Sequence, residues 1–213
     1  MIDLSTKKEF LNLLRSTKRD GVEETIEELQ ELGFFDAPAS CNLHLNYDGG
    51  LMEHSLNVCR VALKLREVVI SMNGDMEEYL PKDSVIIASL LHDVCKSDIY
   101  KKVTKKKKDK FGNIQSTQGF RIDYSNFPLG HGEKSVIMLL LAGLDMSDDE
   151  IMAIRWHMAG WDLPFQSLEA RENINKARDI CPLCSLIQSA DTIAANILER
   201  KDTEAEDDFL WVN

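Results

Sequence analysis

The chain has 213 residues, 44% of them hydrophobic, enough for one ordinary core. Its formal net charge of −11 disfavours nucleic-acid binding by the surface as a whole. No apolar run reaches the roughly 18–20 residues of a membrane span, and "MIDLSTKKEFLNLL" lacks the basic-then-apolar order of a secretory signal.

The elements follow in chain order. "TKKEFLNLLRSTKRDG" predicts a first helix, with Thr6 and Glu9 in capping-box spacing, Phe10, Leu11 and Leu14 on one face, and a stop at Gly21. "VEETIEELQELGFF" predicts a second, ending near Gly33. The loop "DAPASCNLHLNYDGG" then leads into a long helix, "LMEHSLNVCRVALKLREVV". Four more segments with helical spacing are "DSVIIASLLHDVCK", "HGEKSVIMLLLAG", "SDDEIMAIRWHMAG" and "PLCSLIQSADTIAANILERK". Ser147 and Glu150 have capping-box spacing, and Pro182 suits a first helical turn. Residues 99–128 break the rhythm: Phe-Gly-Asn lies between two segments containing Val, Thr, Ile, Phe and Tyr, which predicts an inserted β-hairpin. The tail is acidic, then aromatic, and is expected to fray or to dock through Phe209 and Trp211. The expected organisation is all-α: an N-terminal helical pair (1–36), a helical domain (37–200) carrying the hairpin, and an acidic tail (201–213).

Histidine placement carries the functional reading. His54 shares a helical face with Leu51, Val58, Val61 and Leu65. Asp191 shares one with Ile187, Ala194 and Leu198, His157 lies with Ala153, Ile154 and Trp161, and His92 with Val85, Ala88 and Cys95. A lone inward histidine is usually a hydrogen-bonded core residue, and a lone inward aspartate is often a cap. Several inward histidines and aspartates on separate helices are explained together by a divalent ion, because buried carboxylates need a partner. His92 and Asp93 project about 100° apart on an ideal helix, yet both can reach an ion off its edge.

This ordered set resembles the HD-domain superfamily of metal-dependent phosphohydrolases. His54, His92, Asp93 and Asp191 match its four-ligand pattern in order, and His131 and His157 fall where two-metal members carry extra histidines. The resemblance runs from about Ala37 to Leu198, and "GGLMEHSLNV", "LLHDVCK" and "GHGEKSV" look like one bacterial and phage-associated branch. It implies an HD helical bundle and two divalent ions bridged by Asp93. Oxygen and nitrogen ligands without thiolate leave Mn, Fe, Co, Ni, Mg and Zn undistinguished. Such ions activate water for attack on phosphorus.

Lys96 is then a candidate catalytic and phosphate-gripping residue, or a solvated helix-end cation. Glu53 and Glu133 are candidates to orient ligands or relay a proton, or are surface charges. His44 either meets the substrate or bonds its own loop. The run Lys101, Lys102, Lys105, Lys106, Lys107, Lys108 and Lys110 is a solvated turn, or a rim that attracts polyphosphate or nucleic acid. Cys181 and Cys184 form a lone pair that points to helix packing more than to zinc. Five cysteines, an odd number without an export signal, are expected as reduced thiols in the cytoplasm. The expected substrate is a nucleotide or related small phosphate ester. The rivals are a nuclease or cyclic-nucleotide phosphodiesterase with the same metals, and a non-catalytic nucleotide-binding sensor. Sequence leaves the oligomeric state open.

Overall fold

The computed structural model describes residues 4–108, 113–162, 167–200 and 210–211. The N-terminal pair is α1 (Leu4–Ser16) and α2 (Val22–Glu31). Two expectations are corrected here. Thr6 lies inside the first turn of α1 instead of capping it, and α1 ends at Ser16, so Gly21 (φ 84°) leads into α2. Phe10 and Leu14 are fully buried, and the Phe10 ring meets Phe34 and Phe35 at 5.4 and 5.5 Å between centroids. This aromatic cluster joins α1 to the same apolar core as the helices below.

The remaining helices are α3 (Gly50–Met72), the short α4 (Met76–Tyr79), α5 (Lys82–Leu91), the short α6 (Lys96–Ile99), α7 (His131–Leu141), α8 (Asp148–Trp156), α9 (Leu168–Ile180) and α10 (Pro182–Ile193). Helix α5 is buried from Ser84 to Leu91, as expected of a helix that is apolar all round and sits at the centre of a bundle. Helices α5 and α10 each pack on both α3 and α8. Helix α7 packs on α8, and Gly132 permits the approach: a Cβ there would lie 2.2 Å from the Arg155 carbonyl oxygen. The Ser147–Glu150 capping box starts α8 and Pro182 begins α10, as their spacings predict. Glu150 is fully buried and also receives both terminal nitrogens of Arg19, at 2.9 and 2.8 Å, which ties the N-terminal pair to α8.

The inserted hairpin is β1 (Tyr100–Lys108) against β2 (Ile114–Ile122), antiparallel, with Tyr100 opposite Ile122 and Lys108 opposite Ile114. Its Phe-Gly turn and Lys110 fall outside the described residues. The backbone of β3 (Leu210–Trp211) pairs with the far end of β1, giving the order β2-β1-β3. Phe209 also lies outside the described residues. The fold is mostly helical with this single hairpin, and among the described residues no single helix is long and apolar enough to cross a membrane. All five cysteines are free thiols. Cys181 and Cys184 are buried at the start of α10 and join no candidate metal cluster among the described residues.

Candidate metal centre

Each candidate ligand is held at a helix face or a helix end. His54 lies on the buried face of α3, beside fully buried Leu51 and Val58. Helix α5 stops at Leu91, so His92 and Asp93 occupy the turn between α5 and α6 and do not continue a helix. That turn is pinned to α7, because the Cys95 amide donates to the Ser135 hydroxyl at 3.2 Å. His131 is the first residue of α7, and His157 caps the end of α8. Asp191 lies near the end of α10.

These six residues converge. One Asp93 oxygen sits 2.6 Å from His131 Nε2 and 3.3 Å from His157 Nε2, and the other sits 3.2 Å from His92 Nε2 and 3.6 Å from His54 Nε2. Asp191 lies 3.2 Å from His54 Nε2 and 4.0 Å from His92 Nε2. The imidazoles form a chain with centroid separations of 5.3 Å (His54 to His92), 4.8 Å (His92 to His157) and 5.4 Å (His157 to His131).

The donor chemistry fits a divalent cation. The Nδ1–H groups of His92 and His157 donate to backbone carbonyls three residues back, at 2.8 Å (Ser89) and 2.7 Å (Ile154). This fixes each Nε2 as the atom that carries a lone pair. The Nε2 atoms of His44, His54, His92 and His157 are buried and make no well-aligned hydrogen bond, although those of His54, His92 and His157 lie 3.2, 3.2 and 3.3 Å from a carboxylate oxygen. Buried polar atoms are rarely left so, and three of them facing two carboxylates are accounted for by a cation they share. Two groups, His54–His92–Asp191 and His92–Asp93–His157, place their ligating atoms within 4.8 Å of one another.

Burial alone would push the carboxyls of Asp93 and Asp191 upward. Lys96 and His92 outweigh it at Asp93, and His54 and His92 at Asp191, so both are held well below the usual carboxylate range. Burial would likewise lower His54, but the Asp191 and Glu199 carboxylates push it up to about 9. Burial lowers His157. At His131 burial is overcome by Cys95 and Asp93, giving about 10.

Other predicted residues divide. Lys96 is buried and its ammonium lies 2.5 Å from Asp93, at the rim of the carboxylate cluster. Glu53 accepts from the Tyr47 hydroxyl at 2.7 Å, and Glu133 pairs with Arg155 at 2.8 Å. His44 packs on His54, with centroids 5.0 Å apart, and burial pushes it down to about 4. The hairpin lies over the loop that carries His44: Lys102 reaches Asp48 and Lys105 reaches Asn42, each at 2.7 Å. A cavity of about 310 Å³ opens beside His131, walled by Ile99, Tyr124, Leu129 and Met158. Its hairpin-side wall is fixed by Lys134, which donates to Asp98 and to the Asn126 carbonyl.

Sequence reasoning missed Glu199. It expected Leu198 on the inward face with Asp191, yet Leu198 is 59% exposed and Glu199 is 7% exposed. The reason is local. After α10 the backbone takes a π-turn over Ala194–Leu198, and the Glu199 amide donates to the Ala194 carbonyl at 3.0 Å. On a straight α-helix a residue eight positions after Asp191 would sit about 80° off its face. A wider turn advances less per residue and carries Glu199 back toward the site. Its carboxylate accepts from His54 Nδ1–H at 2.9 Å and from Asn57 at 2.9 Å.

The HD domain family matches residues 51–196, and the chain belongs to that family. A dihydroneopterin 2′,3′-cyclic phosphate phosphodiesterase of Methanocaldococcus jannaschii is 33% identical over 96 residues. The match covers 44% of this chain and 35% of that protein, about a third of its length. No solved structure matches the chain. Within this HD domain, the buried His/Asp clusters could hold divalent ions.

Proposed function

We propose that this protein hydrolyses a nucleotide or related small phosphate ester, using two divalent ions held by His54, His92, Asp93, Asp191, His131 and His157, with Asp93 shared. The observation that carries this reading is the set of buried Nε2 atoms, none in a well-aligned hydrogen bond, directed at Asp93 and Asp191. Bound ions supply Lewis acidity and a nucleophile at neutral pH. The chain's own groups do the rest. His92 and His157 keep their tautomers through backbone carbonyls. Lys96, buried next to Asp93, offers a positive charge to phosphoryl oxygens. The cavity beside His131, lined by Ile99, Leu129 and Met158 as well as by Lys134, has the size, at the lower end of small-ligand sites, to take the ester's organic group.

A cyclic phosphodiester is a second substrate class, favoured by the relative's own activity on a 2′,3′-cyclic phosphate. The test is a panel of nucleoside monophosphates, 2′,3′-cyclic nucleotides, simple phosphomonoesters and short oligonucleotides, each with manganese and with chelator. The proposal expects metal-dependent turnover of a small ester. A manganese-loaded protein inert to the whole panel would overturn it, and cleavage confined to oligonucleotides would favour the nuclease.

A further inference from the structure

Among the buried groups that the proposed chemistry leaves unused, Glu199 has the least ordinary surroundings. Its side chain is 2% exposed. Among the described residues, the basic side chains in ion-pair range are the imidazoles of His54 and His44, at 2.9 and 3.9 Å. No lysine or arginine there pairs with it. A buried carboxylate is costly unless a cation or strong donors compensate it. Here the donors are His54 Nδ1–H, shared between the two oxygens at 2.9 and 3.2 Å, and the Asn57 amide at 2.9 Å.

The other imidazoles of the centre differ. His92 and His157 face backbone carbonyls, and His131 Nδ1 lies 3.3 Å from the Cys95 sulfur. His54 Nδ1, in contrast to those backbone carbonyls, is backed by a full negative charge. A carboxylate on one ring nitrogen fixes the tautomer and makes the opposite nitrogen a stronger donor to a cation. That opposite nitrogen is the Nε2 that faces Asp191 at 3.2 Å and Asp93 at 3.6 Å.

We infer that Glu199 is a positioning residue for the metal centre: placed by the π-turn after α10 and steadied by Asn57, it orients and polarises His54 without itself binding the ion. The inference rests on the proposed metal reading. It links the end of α10, which carries Asp191, to a ligand on α3. The alternative for the same atoms is an ion held directly by His44, His54 and Glu199, whose ligating atoms also cluster.

The test is manganese binding to the full chain, stripped by chelation, followed by calorimetry and by electron paramagnetic resonance. Glu199→Gln keeps an oxygen acceptor and removes the charge; Asn57→Ala leaves His54 untouched and removes one of the carboxylate's donors. Glu199→Gln is expected to weaken manganese binding about 10- to 100-fold, the range for lost outer partners of metal ligands. The number of ions bound should not change, and Asn57→Ala should weaken binding in the same direction by less. His44→Ala should leave the stoichiometry intact. In the zinc-loaded wild type, nitrogen NMR should show His54 protonated at Nδ1. Wild-type affinity in Glu199→Gln would overturn the inference, because a merely space-filling role survives that substitution. Loss of an ion in Glu199→Gln or His44→Ala would overturn it in favour of direct ligation. A wild-type protein that binds no divalent ion would instead refute the metal reading itself.

Discussion

Replacing Asp93 with asparagine separates the ion's contribution to stability from that of the buried charges. Asp93 is 2% exposed, faces four imidazoles with its two oxygens, and pairs with Lys96. In chelated protein Asp93→Asn leaves buried Lys96 without its counter-charge. Breaking a buried pair costs about 3–5 kcal/mol, and the surviving amide oxygen argues for the lower end. At about 2–4 °C per kcal/mol for a chain of this size, Tm should fall by about 6–12 °C. The second effect is larger and more specific. Manganese at a thousandfold excess over its Kd stabilises the wild type by about 4 kcal/mol, or about 8–16 °C. Asp93→Asn, with the shared charge gone, should gain almost none of that at the same concentration. The assay is thermal unfolding of both proteins with chelator and with manganese, circular dichroism confirming equal helicity at low temperature. An equal manganese increment in the two proteins would refute the placement of Asp93 at the centre.

Three further outcomes follow from other parts of the structure. Glu150→Ala removes both the α8 capping box and the partner of Arg19, and should cost about 3 kcal/mol or more in denaturant unfolding; a loss under 1 kcal/mol would mean that the N-terminal pair is only loosely attached. Manganese affinity should rise with pH. His54 and His131, raised from the usual 6.5 to about 9 and about 10, hold protons in the ion-free protein that a metal must displace. Log affinity should therefore climb by up to about two per pH unit between pH 7 and 8.5, and a flat profile contradicts the ligand assignment. Replacing Lys105 and Lys106 with glutamine should raise KM for a polyphosphate or oligonucleotide in a salt-dependent way while sparing a small phosphate ester; equal effects on both would reduce the run to a solvated turn.

Most of the candidate centre was legible in the sequence, because histidines and carboxylates stand out on otherwise apolar helical faces. His54 and Asp191 stand out by that mismatch, and the capped start of α8 orients His157. The hairpin was legible from its change of period. At the candidate centre, what escaped notice depended on departures from ideal helices. His92 and Asp93 meet their partners because α5 ends just before them, which helical spacing cannot register. Glu199 was invisible because the π-turn shifts the inward position from Leu198 by one residue. Asn57 was missed with it, since its amide has meaning only once that carboxylate is in place. Lys96 was recognised, but its salt bridge to Asp93 depends on how the turn folds back.

A two-ion centre that hydrolyses a phosphate ester can be tested by a reconstitution titration. Chelated protein is reloaded with manganese in steps, bound metal is counted per chain, and hydrolysis of the best substrate from the panel is followed at each step. No turnover without metal, saturation at two ions per chain, and loss of one ion with most of the activity in a His131→Ala, His157→Ala double variant are expected. Full activity in the chelated protein, or saturation at one ion with the double variant as active as the wild type, would contradict the two-ion centre.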